Sequence, residues 1–205
     1  MEDVLDVYER PYNPAYPVVC FDETSKQLVQ HVRTPVAPAR GRARRVDDEY
    51  KRCGTANIFT AVEPLTGNVI VEATERRAST DCAWFLKGLI DDVYPNATRI
   101  VLVMDNLSTH TPAAFYEAFP PAEARRLATK IEAHYTPKHG SWLNIAEMQI
   151  SVIARQCLDR RIPSLRQLRR ELDAWRKARN DTPVSWQFTT SRARIKLRRL
   201  YPSFQ

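Results

Sequence analysis

The chain has 205 residues, a length that suits one domain, or one domain with a tail. Hydrophobic residues make up 43% of it and charged residues 27%, which is normal for a soluble globular protein with a buried core. No apolar stretch approaches membrane-spanning length, and the acidic start MEDVLDVYER is not a signal peptide, so we expect a cytoplasmic protein without a membrane partner.

The charge of the chain indicates the class of its partner. Lysine and arginine outnumber aspartate and glutamate by 31 to 24, which gives a net charge of +7. Such a balance favours an anionic partner, nucleic acid before membrane. The four cysteines lie far apart and form no C-x-x-C pair, which argues against a zinc knuckle and against a disulfide framework.

The first half of the chain is expected to be rich in strands. Residues 1–10 suit a short helical turn, and the prolines that follow force an extended chain. The apolar run 18–23 predicts a buried strand that ends in acids, and residues 33–45 predict an exposed basic loop. The β-rich runs 55–64 and 68–74, separated by LTG, predict an antiparallel hairpin.

Three long helices are expected after the hairpin. The stretch STDCAWFLKGLIDDVYP predicts a helix with Ser79 or Thr80 as its N-cap and Trp84 among its apolar positions at helical spacing. Two further helices are expected over residues 141–161 and 164–181. Their N-caps are expected to be Ser141 and Ser164.

Two more strands complete the pattern and indicate the fold class. Strands are expected over residues 99–105 and 130–137, on either side of a helical region at 112–128. An antiparallel start followed by β-α-β units predicts an α/β protein with a mixed sheet flanked by helices. This order fits a ribonuclease-H-like arrangement, although propensity alone is also compatible with other α/β folds.

Three acids lie where a metal site could form. Asp22 and Asp105 each end a strand, and ligands of open α/β sheets gather at the carboxyl ends of strands. Glu147 lies on the helix expected from residue 141, among apolar neighbours. Such carboxylates suit Mg²⁺, and two ions could promote attack on a phosphodiester. The alternative is that each aspartate forms a turn or a helix cap and that the glutamate is solvated.

The sequence around these acids resembles a known family. The motifs CFDE, VMDNLSTH and YTPKHGSWLNIAE together resemble the catalytic domain of bacterial insertion-sequence transposases, specifically the insertion-sequence-630 family of the mariner superfamily. The family's two aspartates and its glutamate match Asp22, Asp105 and Glu147. CGTANIFTAVEPLTG also resembles the family's second and third strands, so the resemblance covers nearly the whole chain.

The resemblance implies a function. It implies a ribonuclease-H-like fold in which Asp22, Asp105 and Glu147 are catalytic and bind two Mg²⁺ or Mn²⁺ ions. It implies cleavage of double-stranded DNA at transposon ends, and then attack of the freed 3′-hydroxyl on target DNA, with a preference for TA dinucleotides. Paired transposon ends would fit a homodimer, and a bacterial protein of this kind would be nucleoid-associated when bound to DNA.

The chain departs from the family at its N-terminus. Family members usually carry N-terminal helix-turn-helix modules, and the residues before Asp22 are too few for even one. We therefore expect a catalytic domain over residues 1–181 and a basic C-terminal tail over residues 182–205. The chain would be a catalytic fragment, or the product of a truncated or split reading frame.

Other side chains near the three acids are expected to have supporting or structural roles. Glu23 should point to the opposite face of its strand from Asp22, and we expect it to pair with an arginine. Asn106 and His110 belong to the matched motif; they either shape the turn locally or orient Asp105 and contact a phosphate. Trp142 is expected to anchor its helix in the core, with stacking on a flipped base as the less favoured alternative.

Basic side chains form several runs that could hold the DNA backbone without reading its sequence. The alternative for each run is a solvated face. The expected DNA contacts are Arg42, Arg44 and Arg45 in the loop, Lys138 and His139 before Glu147, Arg166, Arg169 and Arg170 on the last long helix, and Arg194, Lys196 and Arg198 in the tail.

Two other functions remain compatible with the sequence. The first is a ribonuclease-H-like nuclease that cleaves but does not transfer strands. The second is an inactive or domesticated DNA-binding remnant. Joined DNA products would separate the transposase from the nuclease, and cleavage in Mg²⁺ or Mn²⁺ would separate both from the remnant.

Overall fold

A computed structural model describes residues 1–43, 47–107, 113–138, 140–179 and 181–200. One five-stranded mixed sheet organises them, with the strand order β3-β2-β1-β4-β5. β1 and β2 pair antiparallel, as do β2 and β3, whereas β1, β4 and β5 run parallel. The strands are β1 (Val18–His31), β2 (Tyr50–Glu63), β3 (Asn68–Thr74), β4 (Ile100–Met104) and β5 (Ile131–Tyr135).

Helices cover both faces of this sheet. Single π-helical turns extend α2 and α5, over Leu89–Val93 and Ala154–Leu158, and short 3₁₀ turns span Ser141–Leu143 and Arg198–Leu200. No helix within the described ranges has both the length and the apolar character needed to cross a bilayer. The helices are α1 (Glu2–Tyr8), α2 (Ser79–Gly88), α3 (Ala113–Ala118), α4 (Pro121–Thr129), α5 (Ile145–Ile153), α6 (Leu165–Ala178) and α7 (Thr190–Lys196).

Strand alternation divides the core into two layers. Side chains such as Phe21 and Phe59 point to one face, where they stack with Phe85 and meet α2, α3 and α4. Their neighbours in sequence, such as Cys20, point to the other face, which α1, α5, α6 and α7 cover. The interior strand β4 is apolar throughout because both of its faces are buried.

The expected strands and the hairpin are confirmed, and the structure corrects several bounds. β1 continues to His31 because β2 pairs with it along nearly its whole length. The helical region expected at 112–128 is two helices, since Pro120 and Pro121 interrupt one and begin the next.

Two of the three expected helix caps are wrong. Ala78, not Ser79 or Thr80, occupies the N-cap of α2, and its amide donates to the Asp81 carboxylate at 3.3 Å. Asn144, not Ser141, caps α5, because residues 141–143 form a 3₁₀ turn before the helix begins. The Ser164 cap of α6 is confirmed, with the hydroxyl accepting from the Gln167 amide.

Two tryptophans are more exposed than the sequence suggests. Trp84 is 59% exposed because the buried side of α2 is formed by Cys82, Phe85 and Leu86; its ring meets only the rim of the core at Phe119. Trp142 is 45% exposed and packs edge-on against Phe188, so the expectation that it anchors its helix in the core is wrong.

The turn between β2 and β3 holds the segment that leads to α7. Gly67 has φ +77° and a Cβ there would overlap the backbone of Thr182, while the Val184 amide donates to the Pro64 carbonyl at 2.7 Å. Gly54 also has a positive φ, +98°, but its surroundings are open. A side chain at either glycine would carry the conformational cost of a positive φ, but only at Gly67 would it also carry the steric cost of contact with Thr182.

We expect Gly67→Ala to destabilise the fold on the order of 3 kcal/mol, because backbone atoms have no room to yield. Gly54→Ala should cost only about 1 kcal/mol, the conformational part alone. Urea unfolding of both variants measures the difference through the transition midpoints at a constant m-value. Equal losses in the two variants would show that the Gly67–Thr182 approach has no role.

Candidate active site

The first two acids of the predicted triad lie side by side at the centre of the sheet. Cys20 of β1 is the register partner of Val103 of β4 in a parallel pair. Asp22 and Asp105 each come two residues later, so strand alternation gives them the same face and the same carboxyl edge. The neighbouring strands of a sheet lie about 5 Å apart, which brings the two carboxylates close together.

The third acid reaches this edge through the start of α5. The Asn144 side chain donates to the Phe21 carbonyl of β1 at 2.9 Å, and Glu147 lies in the first turn of the helix that Asn144 caps. The carboxylates of both Glu147 and Asp105 raise the pKa of Asp22. The sheet and α5 therefore hold all three acids of the predicted triad within electrostatic reach of one another.

Burial makes Asp22 an unusual carboxylate. Its side chain is 9% exposed, and desolvation raises its pKa from 3.8 to about 7, with smaller contributions from Asp105, Glu23 and Glu147. The Glu23 amide donates to the Asp22 carboxylate at 2.8 Å, and this hydrogen bond lowers the pKa of Asp22. Among the described residues, no lysine or arginine offsets the charge of Asp22.

The residues present fit a hard divalent cation. No three His, Cys, Asp or Glu side chains of the described ranges converge closely enough to form a ready-made cage. Mg²⁺ does not require one, because it usually keeps several waters and takes one or two carboxylates together with substrate phosphates. A cation beside Asp22 would also relieve the repulsion among these carboxylates.

The structure confirms the prediction for one residue near the triad and leaves the others untested. Glu23 faces away from Asp22 and forms an ion pair with Arg77 at 2.6 Å, as expected. Asn106 is exposed directly after Asp105, and its role stays a prediction. His110 and His139 lie outside the described residues.

The described basic residues that were expected to contact DNA have different surroundings. Arg166 and Arg170 are exposed on α6 and line a cavity of about 340 Å³ with Ser164 and Gln167. Arg169 instead donates to the Ala73 carbonyl at 2.8 Å, and Arg194 forms an ion pair with Glu2 at 2.7 Å. Arg42, Lys138, Lys196 and Arg198 are exposed, and Arg44 and Arg45 lie outside the described residues. Their contact with DNA stays a prediction.

Three buried polar residues on β2 and at α5, close to the strand that carries Asp22, were not predicted from the sequence. Thr60 is the register partner of Asp22 and is fully buried, and Gln149 is buried on α5, which packs against β1 and β2. Asn144 is the clearest of the three, because the sequence analysis included it only as a letter of the motif before Glu147. An asparagine directly before an apolar helical stretch is typical of an N-cap, and this pattern could have identified it.

A basic group at the far end of β1 was also missed. Arg161 donates to His31 at 3.1 Å and to the Glu49 carbonyl at 2.9 Å, and its guanidinium lies over the Tyr50 ring. These residues come from distant parts of the sequence, so no local pattern could have grouped them. Arg161 and His31, together with Arg33, border a cavity of about 460 Å³.

Known proteins share this architecture. The sequence pattern of the DDE superfamily endonuclease family matches residues 17–169, well over half of the chain. Among solved structures, the chain is similar to that of the Mos1 strand transfer complex, with a TM-score of 0.58 and 16% identity over 87% of this chain and 52% of that one. No curated protein matches the chain.

Two further Mos1 structures give similar agreement. The mariner paired-end complex with Mn has a TM-score of 0.56 and 16% identity over 87% of this chain and 53% of that chain. The paired-end complex with Mg has a TM-score of 0.51 and 15% identity over 87% and 52%. The chain spans about half the length of these Mos1 chains.

The likeness confirms the expected ribonuclease-H-like mixed sheet flanked by helices, and the family match shows that the chain belongs to the DDE superfamily endonucleases.

Proposed function

We propose that this chain is the catalytic part of a DNA transposase, which cleaves phosphodiesters at transposon ends and transfers the freed strand into target DNA. One observation carries the proposal: Asp22 on β1 lies beside Asp105, which follows the end of the neighbouring parallel strand β4, and Glu147 comes near enough to raise the pKa of Asp22. The family match and the Mos1 strand transfer and paired-end complexes support the same reading.

The three acids have distinct roles in this proposal. Both other carboxylates raise the pKa of Asp22, so Asp22 would take part in holding each of two Mg²⁺ or Mn²⁺ ions, with Asp105 and Glu147 each holding one. Two such cations would supply the Lewis acidity and the charge neutralisation that attack on a phosphodiester requires. The protein itself holds the carboxylates in place, and no separate side chain is needed as general base.

The partners follow from the reaction. The chain would bind double-stranded DNA, both transposon ends and target, through exposed arginines and lysines that contact phosphates. Pairing of two ends favours a homodimer. We further infer, from the motifs around the acids, a bacterial member of the insertion-sequence-630 family whose catalytic domain covers residues 1–181, with a basic tail over residues 182–205.

Two assays on the intact chain test the proposal. With Mn²⁺ or Mg²⁺, wild-type protein should nick supercoiled plasmid, and it should join labelled duplexes bearing a free 3′-hydroxyl to that plasmid. Chelation should stop both reactions. Nicking without joined products would favour the ribonuclease-H-like nuclease, and DNA binding without nicking in either metal would favour the inactive remnant.

A further inference from the structure

Asn144 makes contacts in two directions from one buried side chain. Its side-chain oxygen accepts from the Ala146 amide at 3.1 Å, which caps α5. Its side-chain nitrogen donates to the Phe21 carbonyl at 2.9 Å and lies 3.5 Å from a carboxylate oxygen of Asp22. The residue is 1% exposed, so these contacts are shielded from water.

The chemistry of these contacts explains why the residue is an amide. A carboxamide carries a donor and an acceptor at the same reach, so it can cap a helix and hold a strand carbonyl at once. Aspartate would cap α5 but would set a second anion against the Phe21 carbonyl and Asp22. Serine would also cap α5, but its hydroxyl is too short to span to β1.

The segment around Asn144 is fixed from its other side as well. The Tyr8 hydroxyl donates to the Leu143 carbonyl at 2.7 Å and lies 3.5 Å from the Ile145 amide. The same hydroxyl lies 3.3 Å from the Cys20 sulfur of β1, so these bonds tie the segment to α1 and to β1 without contacting the acids. The Asn144 side chain instead joins the start of α5 to the β1 backbone next to Asp22 and to the Asp22 carboxylate itself.

We propose that Asn144 is a positioning residue: it ties the start of α5 to β1 and so sets the separation between Glu147 and Asp22. Glu147 is three residues beyond the cap, in the first helical turn, where a shift of the cap moves its carboxylate directly. The consequence for cation affinity rests on the proposed function, because it requires these acids to hold the ion. Loss of groups that orient metal ligands typically weakens metal affinity 10- to 100-fold.

Asn144→Ser is the test variant because it keeps a capping oxygen and removes the link to β1. Ser164→Ala is the matched control, since it removes the N-cap of α6, a helix that carries none of the three acids. We expect calorimetric titration with Mn²⁺, well below both melting temperatures, to show at least about tenfold weaker binding for Asn144→Ser and no change for Ser164→Ala. Excess Mn²⁺ should partly restore plasmid nicking by Asn144→Ser.

Hydrogen exchange of the metal-free proteins tests the tether separately from the metal. Amides of residues 145–149 should exchange at least about tenfold faster in Asn144→Ser than in wild type or Ser164→Ala. Unchanged exchange in this segment, or unchanged Mn²⁺ affinity where wild type binds Mn²⁺, would overturn the positioning role. Faster exchange in a protein whose wild type binds no Mn²⁺ would support the tether and contradict the proposed function.

Discussion

Replacement of Asp105 by asparagine is expected to lower plasmid nicking in Mg²⁺ by at least about 1,000-fold, equivalent to roughly 4 kcal/mol of transition-state stabilisation. Asparagine keeps the size of the side chain but removes the negative charge that would hold a cation next to Asp22. The register of β1 and β4 makes the two aspartates neighbours, so the remaining carboxylate has no partner on β4. Gel quantification of nicked plasmid over time measures the loss.

Asp92→Asn is the matched control for this variant. Asp92 is an exposed acid in the π-helical turn that follows α2, on the opposite face of the sheet. Its replacement changes the net charge of the chain by the same amount and should leave nicking unchanged. Full nicking by Asp105→Asn, or an equal loss in Asp92→Asn, would remove Asp105 from the reaction and with it the proposed triad.

Asp22→Asn is expected to stabilise the metal-free protein at pH 8 while it abolishes metal-dependent activity. Folding raises the pKa of Asp22 from 3.8 to about 7, mainly through desolvation. Above pH 7 the folded protein must therefore bury a charge that the unfolded chain exposes to water. A neutral side chain avoids this cost, which grows by about 1.4 kcal/mol for each pH unit between the two pKa values.

The pH dependence of this effect has a definite direction. Between pH 4 and pH 7 the folded wild type binds more protons at this position than the unfolded chain, so wild-type stability falls as the pH rises. The advantage of Asp22→Asn should be small near pH 4, grow up to pH 7, and level off above it. At pH 8 a gain on the order of 10 °C in Tm is expected for a chain of this size.

Thermal unfolding with and without Mg²⁺ completes the test. A cation that binds only the folded state stabilises it as the ligand concentration rises above Kd. Wild type should therefore gain Tm in Mg²⁺ at pH 8, whereas Asp22→Asn should not, and the gap between them should shrink. A Tm for Asp22→Asn that is lower than wild type at pH 8 without metal would contradict the assigned cost of burying Asp22.

Local patterns in the sequence predict most of the helices and strands and part of the candidate site. Apolar runs predict β4 and the start of β1 because buried strands need such residues on both faces. Strand alternation alone separates Glu23 from Asp22, and Glu23 pairs with Arg77 on the opposite face. Ser164 caps α6 as expected, since no competing cap lies beside it.

The helix starts show where local patterns are insufficient. Ser141 and Asn144 are both good N-cap residues, and the sequence offers no means of choosing between them. The choice depends on the Phe21 carbonyl, 123 residues earlier in the chain, which accepts a hydrogen bond from the Asn144 side chain. Trp84 illustrates the same limit, because its exposure depends on which side of α2 meets the sheet.

The sequence by itself determined the strands, most of the helices and the motifs from which the three acids are proposed, because these depend on neighbouring residues and their periodicity. The tertiary structure decided the strand order that makes Asp22 and Asp105 neighbours, the link from Asn144 to β1, and the burial that raises the pKa of Asp22. Such features arise from contacts between residues that are far apart in the chain. No local pattern encodes them, since they exist only once the sheet and α5 have packed together.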